Sequence, residues 1–547
     1  MSPAAPPAQA TASARARRRY PHPATRASPV WRLAPVLLAA LGAAAFLAVD
    51  PRVADLPAGE FRGELFGREG LTLWNNAWYA GHHTLGYSVL LPPLVWLLGS
   101  PVAVGVVSAL ACAALFEPLA RAHFGEGARY GTALLGAGTA SLLFTGRIAF
   151  AAGAAIGLGA LLALQRGRPG LAAALAAACS LTSPVAGVFL GLAGTALALA
   201  GRRREGAWMA ISALIPPAAL ALAFPTGGSH PFVTSSFLPT LILAGLFLAV
   251  VPARERVLRA GAVLYALAAS GSYLIDTPFG GNVVRLGQLF GAGVLACVLA
   301  AHDLGRARRL AGAALLGALL VWQWHTPYIE LKRLVGNRSV ESRYYAPLLE
   351  FLERQGGEPW RVEIPPTRNH WETAEVAPRF PLARGWERQL DIRHNGLFYD
   401  GGFDAERYRR WLTEHGVRFV ALPDALLDRS AHDERRLIES RPPYLVERWR
   451  SEHWRVYEVA LPRPLAIPRP GERARLAQLG SDSFVVDFRE PGEALARVHW
   501  SPHWWAGGAC VERDGEWTRV STTRPGLVRV AIRFSPERVW ERGRRCG

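Results

Sequence analysis

The stretch "RLAPVLLAALGAAAFLAVDPRVADL", from Arg32 to Leu56, decides how the rest of the chain is read. Its apolar run, Leu33–Val49, approaches the roughly 20 residues that a helix needs to cross a bilayer. Upstream lie Arg15, Arg17, Arg18, Arg19, Arg26 and Arg32, and no acid. Cationic flanks stay on the cytoplasmic side. The chain should therefore emerge outside at Asp50. Residues 1–32, rich in Pro, Ala and Arg, are expected to be a disordered basic cytoplasmic tail. A basic segment followed by an apolar run also fits a cleaved signal peptide. A signal anchor fits better, because many apolar blocks follow and no small-residue cleavage site stands out.

Those blocks fall near 101–120, 128–145, 147–164, 170–184, 186–200, 207–224, 237–252, 260–275, 284–301 and 310–325. Arginines punctuate them at Arg166/Arg168, Arg202–Arg204, Arg254/Arg256/Arg259 and Arg306/Arg308/Arg309. About eleven spans, with 86–99 as a re-entrant or interfacial piece, put every cluster on the cytoplasmic side. Small residues at helix-packing spacing, Gly153/Gly157 and Gly187/Gly191, read as ordinary bundle contacts. Both halves add to the net charge of +18: 24 basic and 12 acidic residues up to and including Glu330, where the arginines follow this loop pattern, and 37 and 31 after it. No basic helix or aromatic-basic sheet motif points to nucleic acid. Lys332 is the lone lysine among 61 basic residues, a bias of coding and not of function.

Beyond about residue 326 the pattern becomes globular. "ESRYYAPLLEFLERQ" (341–355) is an amphipathic helix, and "WRVEIPP" (360–366) is a strand. "DAERYRRWLTEHGVRFVALP" (404–423) reads as helix, glycine stop and strand. From about Arg463 the segments alternate with period two, and Asp514-Gly515 marks a hairpin. The fold class expected is a polytopic α-helical membrane protein with a C-terminal extracytoplasmic α/β plus β-sandwich region. Its parts are a transmembrane domain over 33–326 with an external loop at 50–87, an α/β domain over 327–462, and a β-sandwich over 463–547. Cys112, Cys179 and Cys297 lie in apolar blocks, whereas Cys510 and Cys546 could form a disulfide if the tail is outside the cell.

The external loop is long for a connector, and long loops in compact proteins are functional or disordered. Its Phe61, Leu65, Phe66, Leu71, Trp74, Trp78 and Tyr79 argue for packing. Asp50, Asp55 and Glu60 are candidate general bases for a sugar hydroxyl at the membrane surface. A solvated acidic loop with interfacial tryptophans is the plainer alternative. In "WNNAWYAGHHTLGYSVLLPP" (74–93), Trp74, Trp78 and Tyr79 offer ring faces to a sugar or to lipid headgroups. Adjacent His82 and His83 could ligate a metal, but neighbouring side chains diverge, so pocket lining or helix capping suits them better. Pro92-Pro93 fit the first turn of a broken helix. Arg147 and Arg285 open apolar blocks on the external side, where an ionisable group is costly. They could bind phosphate or simply snorkel. No GxxxxGK[S/T], HExxH or CxxC occurs.

The acidic first external loop, "YSVLLPPLVWLLG" (87–99), "GRIAFAAGAAIGLGALLAL" (146–164) and "SLTSPVAGVFL" (180–190) together resemble the GT-C class of membrane glycosyltransferases. The close, "HWSPHWWAGGACVERDGEW" (499–517) with "PGLVRVAIRFSP" (525–536), resembles the YfhO-like branch. The likeness covers most of the chain and is architectural. It implies a plasma-membrane enzyme, N-terminus cytoplasmic and C-terminal domain extracytoplasmic. Such an enzyme moves a sugar from a polyprenyl-phosphate donor to an envelope glycan, lipid or protein acceptor, with an acidic residue of the first external loop as base. Asp50 and Asp55 match that position, with Glu60 next. A divalent metal is left open as a cofactor. A lipid or glycolipid transporter and a non-catalytic envelope scaffold are the rival classes.

The topology is testable. Alkaline phosphatase fused after Glu60 should be active and a fluorescent protein fused there dark; fluorescence without phosphatase activity would reverse the orientation.

Overall fold

The structure, a computed structural model, describes residues 29–547, so the tail expected over 1–32 lies almost wholly outside the described residues. The chain opens with α1 (Pro29–Val49), α2 (Leu56–Glu69), the short strands β1 (Trp74–Asn75) and β2 (His82–His83), and α3 (Leu91–Leu98). A helical series follows: α4 (Pro101–Phe124), α5 (Ala128–Gly138), α6 (Ala140–Leu143), α7 (Ile148–Gln165), α8 (Pro169–Thr182), α9 (Pro184–Leu199), α10 (Arg203–Ala223), α11 (Thr234–Val250), α12 (Arg256–Leu274), α13 (Val284–Ala301) and α14 (Arg306–Leu334).

Each apolar block falls on helix. Among the described residues, six helical segments are long and apolar enough to cross a membrane, and Pro169–Thr182, Pro184–Leu199 and Thr234–Val250 are shorter apolar helices. Their outer faces carry exposed Leu37, Leu41, Ile215, Leu222, Ile242 and Leu267, each at least 58% accessible. A contiguous apolar surface of that kind is stable against lipid and not against water. The N-terminal part is thus a membrane helical region. Its glycines sit at contacts: a Cβ on Gly153 would lie 2.7 Å from that of Ala186, and one on Gly187 would lie 2.2 Å from Ser180 Oγ. Within the stretch 86–99 lies the short helix α3, with Pro92 and Pro93 in its first turn. Its preceding backbone is tied down by Val89 N–H to Leu181 O at 2.8 Å.

The polar part begins after α14 with α15 (Ser342–Glu353), β3 (Arg361–Glu363), α16 (Glu372–Glu375), α17 (Arg388–His394), α18 (Ala405–Glu414), β4 (Val417–Pro423), α19 (His432–Glu439), β5 (Leu445–Arg450) and β6 (Trp454–Val459). These strands form one sheet of order β3-β4-β6-β5, parallel only between β3 and β4. Period-two alternation in β4 explains its two-sided burial. Phe419 and Ala421 meet α15, while Val420 and Leu422 meet Tyr408, Leu412 and Ile438.

The last strands are β7 (Ala466–Pro468), β8 (Ala474–Leu479), β9 (Ser483–Phe488), β10 (Gly492–His499), β11 (Trp504–Ala506), β12 (Ala509–Asp514), β13 (Trp517–Thr522), β14 (Gly526–Ile532) and β15 (Arg545–Cys546). They pair into two antiparallel sheets, β15-β12-β13-β10-β7 and β11-β14-β9-β8. Leu476, Phe484, Val486, Val511, Val520 and Val530 fill the space between them, and Trp74 of the first loop enters this core. Gly515, at φ +61°, makes the turn between β12 and β13.

A second core is continuous across both parts. Phe46, Phe61, Trp78 and Tyr79 belong to the same cluster as Tyr345, Phe351, Val362 and Trp454. The first loop therefore works as mortar between membrane helices and polar sheets.

Cys510 and Cys546 are disulfide-bonded across β12 and β15, 36 residues apart in sequence. Closing a loop of that length restricts the unfolded chain by about 3–4 kcal/mol. Cys546→Ser should lower the melting temperature of the purified protein by several degrees, and added reductant should do the same to the wild type but not to the variant. Equal melting curves would show that the crosslink does not contribute.

Candidate functional site

Asp55 precedes α2 at its N-cap position without a side-chain capping hydrogen bond, and it is enclosed by protein, although part of its surface stays accessible. Gly146 makes the approach possible. At φ +66° it turns the chain out of α6 toward α7, and a Cβ there would lie 3.0 Å from Asp55 Cβ and 3.1 Å from Leu56 N. The next residue is Arg147, whose Nη1 donates to Gln288 Oε1 at 2.8 Å. Arg285 opens α13 one turn earlier, its guanidinium 6.0 Å from the Phe150 ring centre. Burial raises the Asp55 carboxyl above its ordinary range, opposed by the charges of Arg285, Arg147 and His370. Asp55, Arg147 and Arg285 thus come from three separated segments to one place.

His370 is the fourth member. Its backbone is left-handed, at φ +56°, and its imidazole lies 3.5 Å from Glu372 and 3.8 Å from Asp428. Burial alone would lower its pKa. The carboxylates of Asp428 and Glu372 outweigh this and raise it to about 9, so the ring is a cation at neutral pH. Arg388 grips the far side of Asp428 with two bonds of 2.9 and 2.6 Å. Nothing local in "TRNHWETAEV" marks His370 as a partner of Asp55, because the contact joins residues far apart in sequence.

The other candidates lie elsewhere. Asp50, at the end of α1, is exposed with φ +45°. Glu60 faces Arg52 at 3.8 Å, and burial raises its pKa despite that cation. Trp78 and Tyr79, expected as ring faces for a ligand, are wholly buried. Trp78 packs at a tilt against Phe61, ring centres 4.4 Å apart, and stacks on His82; Tyr79 Oη donates to Glu387 O at 3.0 Å. Trp74 packs edge-on against Trp504 in the sandwich core. Hydrophobic burial competes for the rings of Trp78 and Tyr79 and there it wins, whereas Trp74, though packed in the core, also borders a cavity beside His82 and His83. His82 and His83 form β2 opposite β1 and border a separate cavity, not the Asp55 chamber. Among the described residues no group of three or more His, Cys, Asp or Glu could hold a metal ion. Around Asp55 stand the charges of Arg147, Arg285 and His370; Glu330 also feels the Asp55 charge, while Glu372 and Asp428 face His370. A divalent ion wants several oxygen ligands, so this donor set does not fit one.

An apolar groove of about 700 Å³ runs between the membrane helices. Phe150, Leu286, Gly287 and Trp322 line it. Phe150 lies under Arg285, and Trp322 O is 3.4 Å from Gln288 Nε2. Phe150 and Trp322 thus bring the groove close to Arg285 and Gln288. At its far end stand His123, Gln165 and Arg202.

No family model and no curated protein matches this sequence. Among solved structures the chain is similar to a single-particle cryo-EM structure of the arabinofuranosyltransferase AftD from Mycobacteria, at 14% identity, over 92% of this chain and 60% of that one, with a TM-score of 0.39. A likeness of that size carries no conclusion about fold or activity.

Arg62 of α2 is buried against Glu387, with its guanidinium 4.0 Å from the Tyr87 ring. Removing one partner of a buried pair leaves a bare charge and costs about 3–5 kcal/mol. Arg62→Met should therefore lower the melting temperature sharply, and Arg62→Met with Glu387→Gln should recover most of the loss. A double variant as unstable as the single one would show that the pair is not the cause.

Proposed function

We propose that this protein is a membrane glycosyltransferase of the GT-C type, using a polyprenyl-phosphate-linked sugar on the outer face of the plasma membrane. The supporting observation is that Arg147 and Arg285 act on Asp55 next to Phe150 and Trp322, which line an apolar groove. A prenyl chain lies in the groove, and its phosphate sits against the two guanidiniums, which suit phosphate oxygens in a planar, bidentate way. Asp55 accepts the proton of the acceptor hydroxyl as its oxygen bonds to the anomeric carbon. The bond from that carbon to the phosphate oxygen breaks through an oxocarbenium-like state. Arg147 and Arg285 hold the charge that develops on the departing phosphate. The about eleven spans, the external placing of the polar part, its division at residues 327–462 and 463–547, and the YfhO-like affinity belong to the same reading. So does an envelope glycan, lipid or protein as acceptor. A lipid transporter or a scaffold would keep the groove but would have no use for an enclosed base between two arginines.

Positioned general bases contribute about 10²–10⁴-fold. Asp55→Asn should lower transfer from a radiolabelled polyprenyl-phosphate sugar by that factor, while Asp50→Asn stays near wild type. Wild-type transfer by Asp55→Asn would remove the base assignment.

The pH profile is a second check. Transfer should be lost as pH falls through the raised pKa of Asp55 and be present above it. Arg285→Gln removes the largest charge that lowers that pKa, so the acid limb should move to higher pH. An unmoved limb in a variant that still turns over would separate Arg285 from Asp55.

A further inference from the structure

Away from the Asp55 chamber, a cavity of about 270 Å³ opens between the first loop, the loop after α10, α17 and the strand end at His499. Its inner wall is aromatic and imidazole-rich: Trp74, His82, His83, His394, His499 and Trp500. Its mouth carries exposed Arg393, Arg513 and Arg542 with one acid, Glu516.

The inner wall is uncharged. Burial, with the charges of Arg62 and His394 adding to it, lowers His82 to about 3, and burial lowers His83 to about 3 and His394 to about 4. His499 is held well below its ordinary value by burial and by His394 and His415. Hydrogen bonding then fixes the tautomers. His499 Nδ1 faces Gly81 O at 3.2 Å, and a carbonyl only accepts. The single ring proton is therefore on Nδ1, and Nε2 is an acceptor. His83 is already satisfied, with Nδ1 on Leu73 O and Nε2 on Ser501 Oγ, both at 3.3 Å. His82 Nδ1 is buried and makes no hydrogen bond of good geometry, with only the Trp78 backbone nearby. An unpaired buried polar atom costs about 1–3 kcal/mol, and a ligand group would remove that cost. His394 and His499 stack at 4.2 Å, which holds their edges in place.

The mouth has the opposite character. Glu516 is engaged by Arg513 at 3.1 Å. Arg393 and Arg542 have no carboxylate within 4.0 Å among the described residues; they reach only backbone carbonyls, including Thr226 O and Leu222 O. Two uncompensated guanidiniums thus stand over a wall of neutral acceptors and aromatic edges. A bare phosphate would use the arginines but not the wall. A neutral sugar would use the wall but not the arginines.

We propose that this cavity is a binding site for an anionic saccharide unit, its hydroxyls donating to the imidazoles and its acid group held by Arg393 and Arg542. Arg388, at the other end of the seven-residue α17, grips Asp428 beside the Asp55 chamber. His394 is six residues on, about 9 Å along a helix. If the transfer reaction proposed above is right, a distal unit of the same acceptor glycan reaches this cavity; the site itself does not depend on that reaction.

Isothermal titration of the full-length protein in detergent with glucuronate, glucose and inorganic phosphate tests it. Glucuronate should bind saturably and at least about tenfold more tightly than either of the others. Arg393→Gln with Arg542→Gln, both at the exposed mouth, should weaken glucuronate about tenfold or more and leave glucose unchanged. His499→Phe should abolish both sugars. Asp55→Asn should bind as the wild type does, so that loss of transfer and loss of binding are read separately. No saturable glucuronate binding, equal binding of glucose, phosphate binding as tightly as glucuronate, or loss of binding in Asp55→Asn would each overturn the proposal.

Discussion

Two indole N–H groups hold this molecule together at the place where chain leaves lipid. Trp371 Nε1 donates to Arg52 O at 3.1 Å, and Trp386 Nε1 donates to Ala54 O at 2.8 Å. The Arg52 guanidinium lies 3.6 Å over the Trp371 ring, and its Nη2 reaches Glu375 at 3.3 Å. Residues 52–55 are thereby fixed from the polar side, while Gly146 fixes them from the membrane side. A loop carboxylate between free ends would sample many positions. Asp55 has few, because backbone on both of its sides is spoken for.

That constraint makes an unfavourable charge distribution tolerable. Arg147 and Arg285 begin apolar helices, where a cation is costly, and they sit near each other. Asp55 lowers the repulsion between them, and they in turn oppose the burial that favours its protonated form. His370, kept charged by Asp428 and Glu372, closes the set from the polar part. The chamber therefore exists only when helices and polar sheet are assembled. The shared core of Phe46, Phe61, Trp78, Phe351 and Trp454 supplies the hydrophobic energy for that assembly.

The loop between α1 and α3 reaches two places by different means. Its beginning brings Asp55 under the charges of Arg147 and Arg285. Its later part, β1 and β2, inserts Trp74 into the sandwich core and presents His82 to the cavity beneath Arg393. Helix α17 links the same two places from the other side, with Arg388 toward Asp428 and His394 toward His499. A strained loop such as Tyr79-Ala80, with φ +57° and +58°, persists because Tyr79 Oη and the rings around it are fully enclosed.

Local pattern determined much by itself. Apolar length marked the membrane helices, because a run of Ala, Leu and Val has no soluble surface to offer. Period marked α15, α18 and β4, and Asp514-Gly515 marked its hairpin, since these depend on neighbours in sequence. The cost of a charge at a membrane edge marked Arg147 and Arg285 as candidates, and position after the first span marked Asp50, Asp55 and Glu60 without choosing among them. Tertiary structure alone decided which carboxylate is enclosed and which, like Asp50, is exposed. It also decided that Trp78 and Tyr79 are packing and not wall, that Arg62 meets Glu387, and that His370, His394 and His499 take part at all. Most of these rest on contacts between separate elements, Tyr79 and Glu387 being 308 positions apart, and a ring or a charge reads the same in sequence whether it faces a ligand or a neighbour.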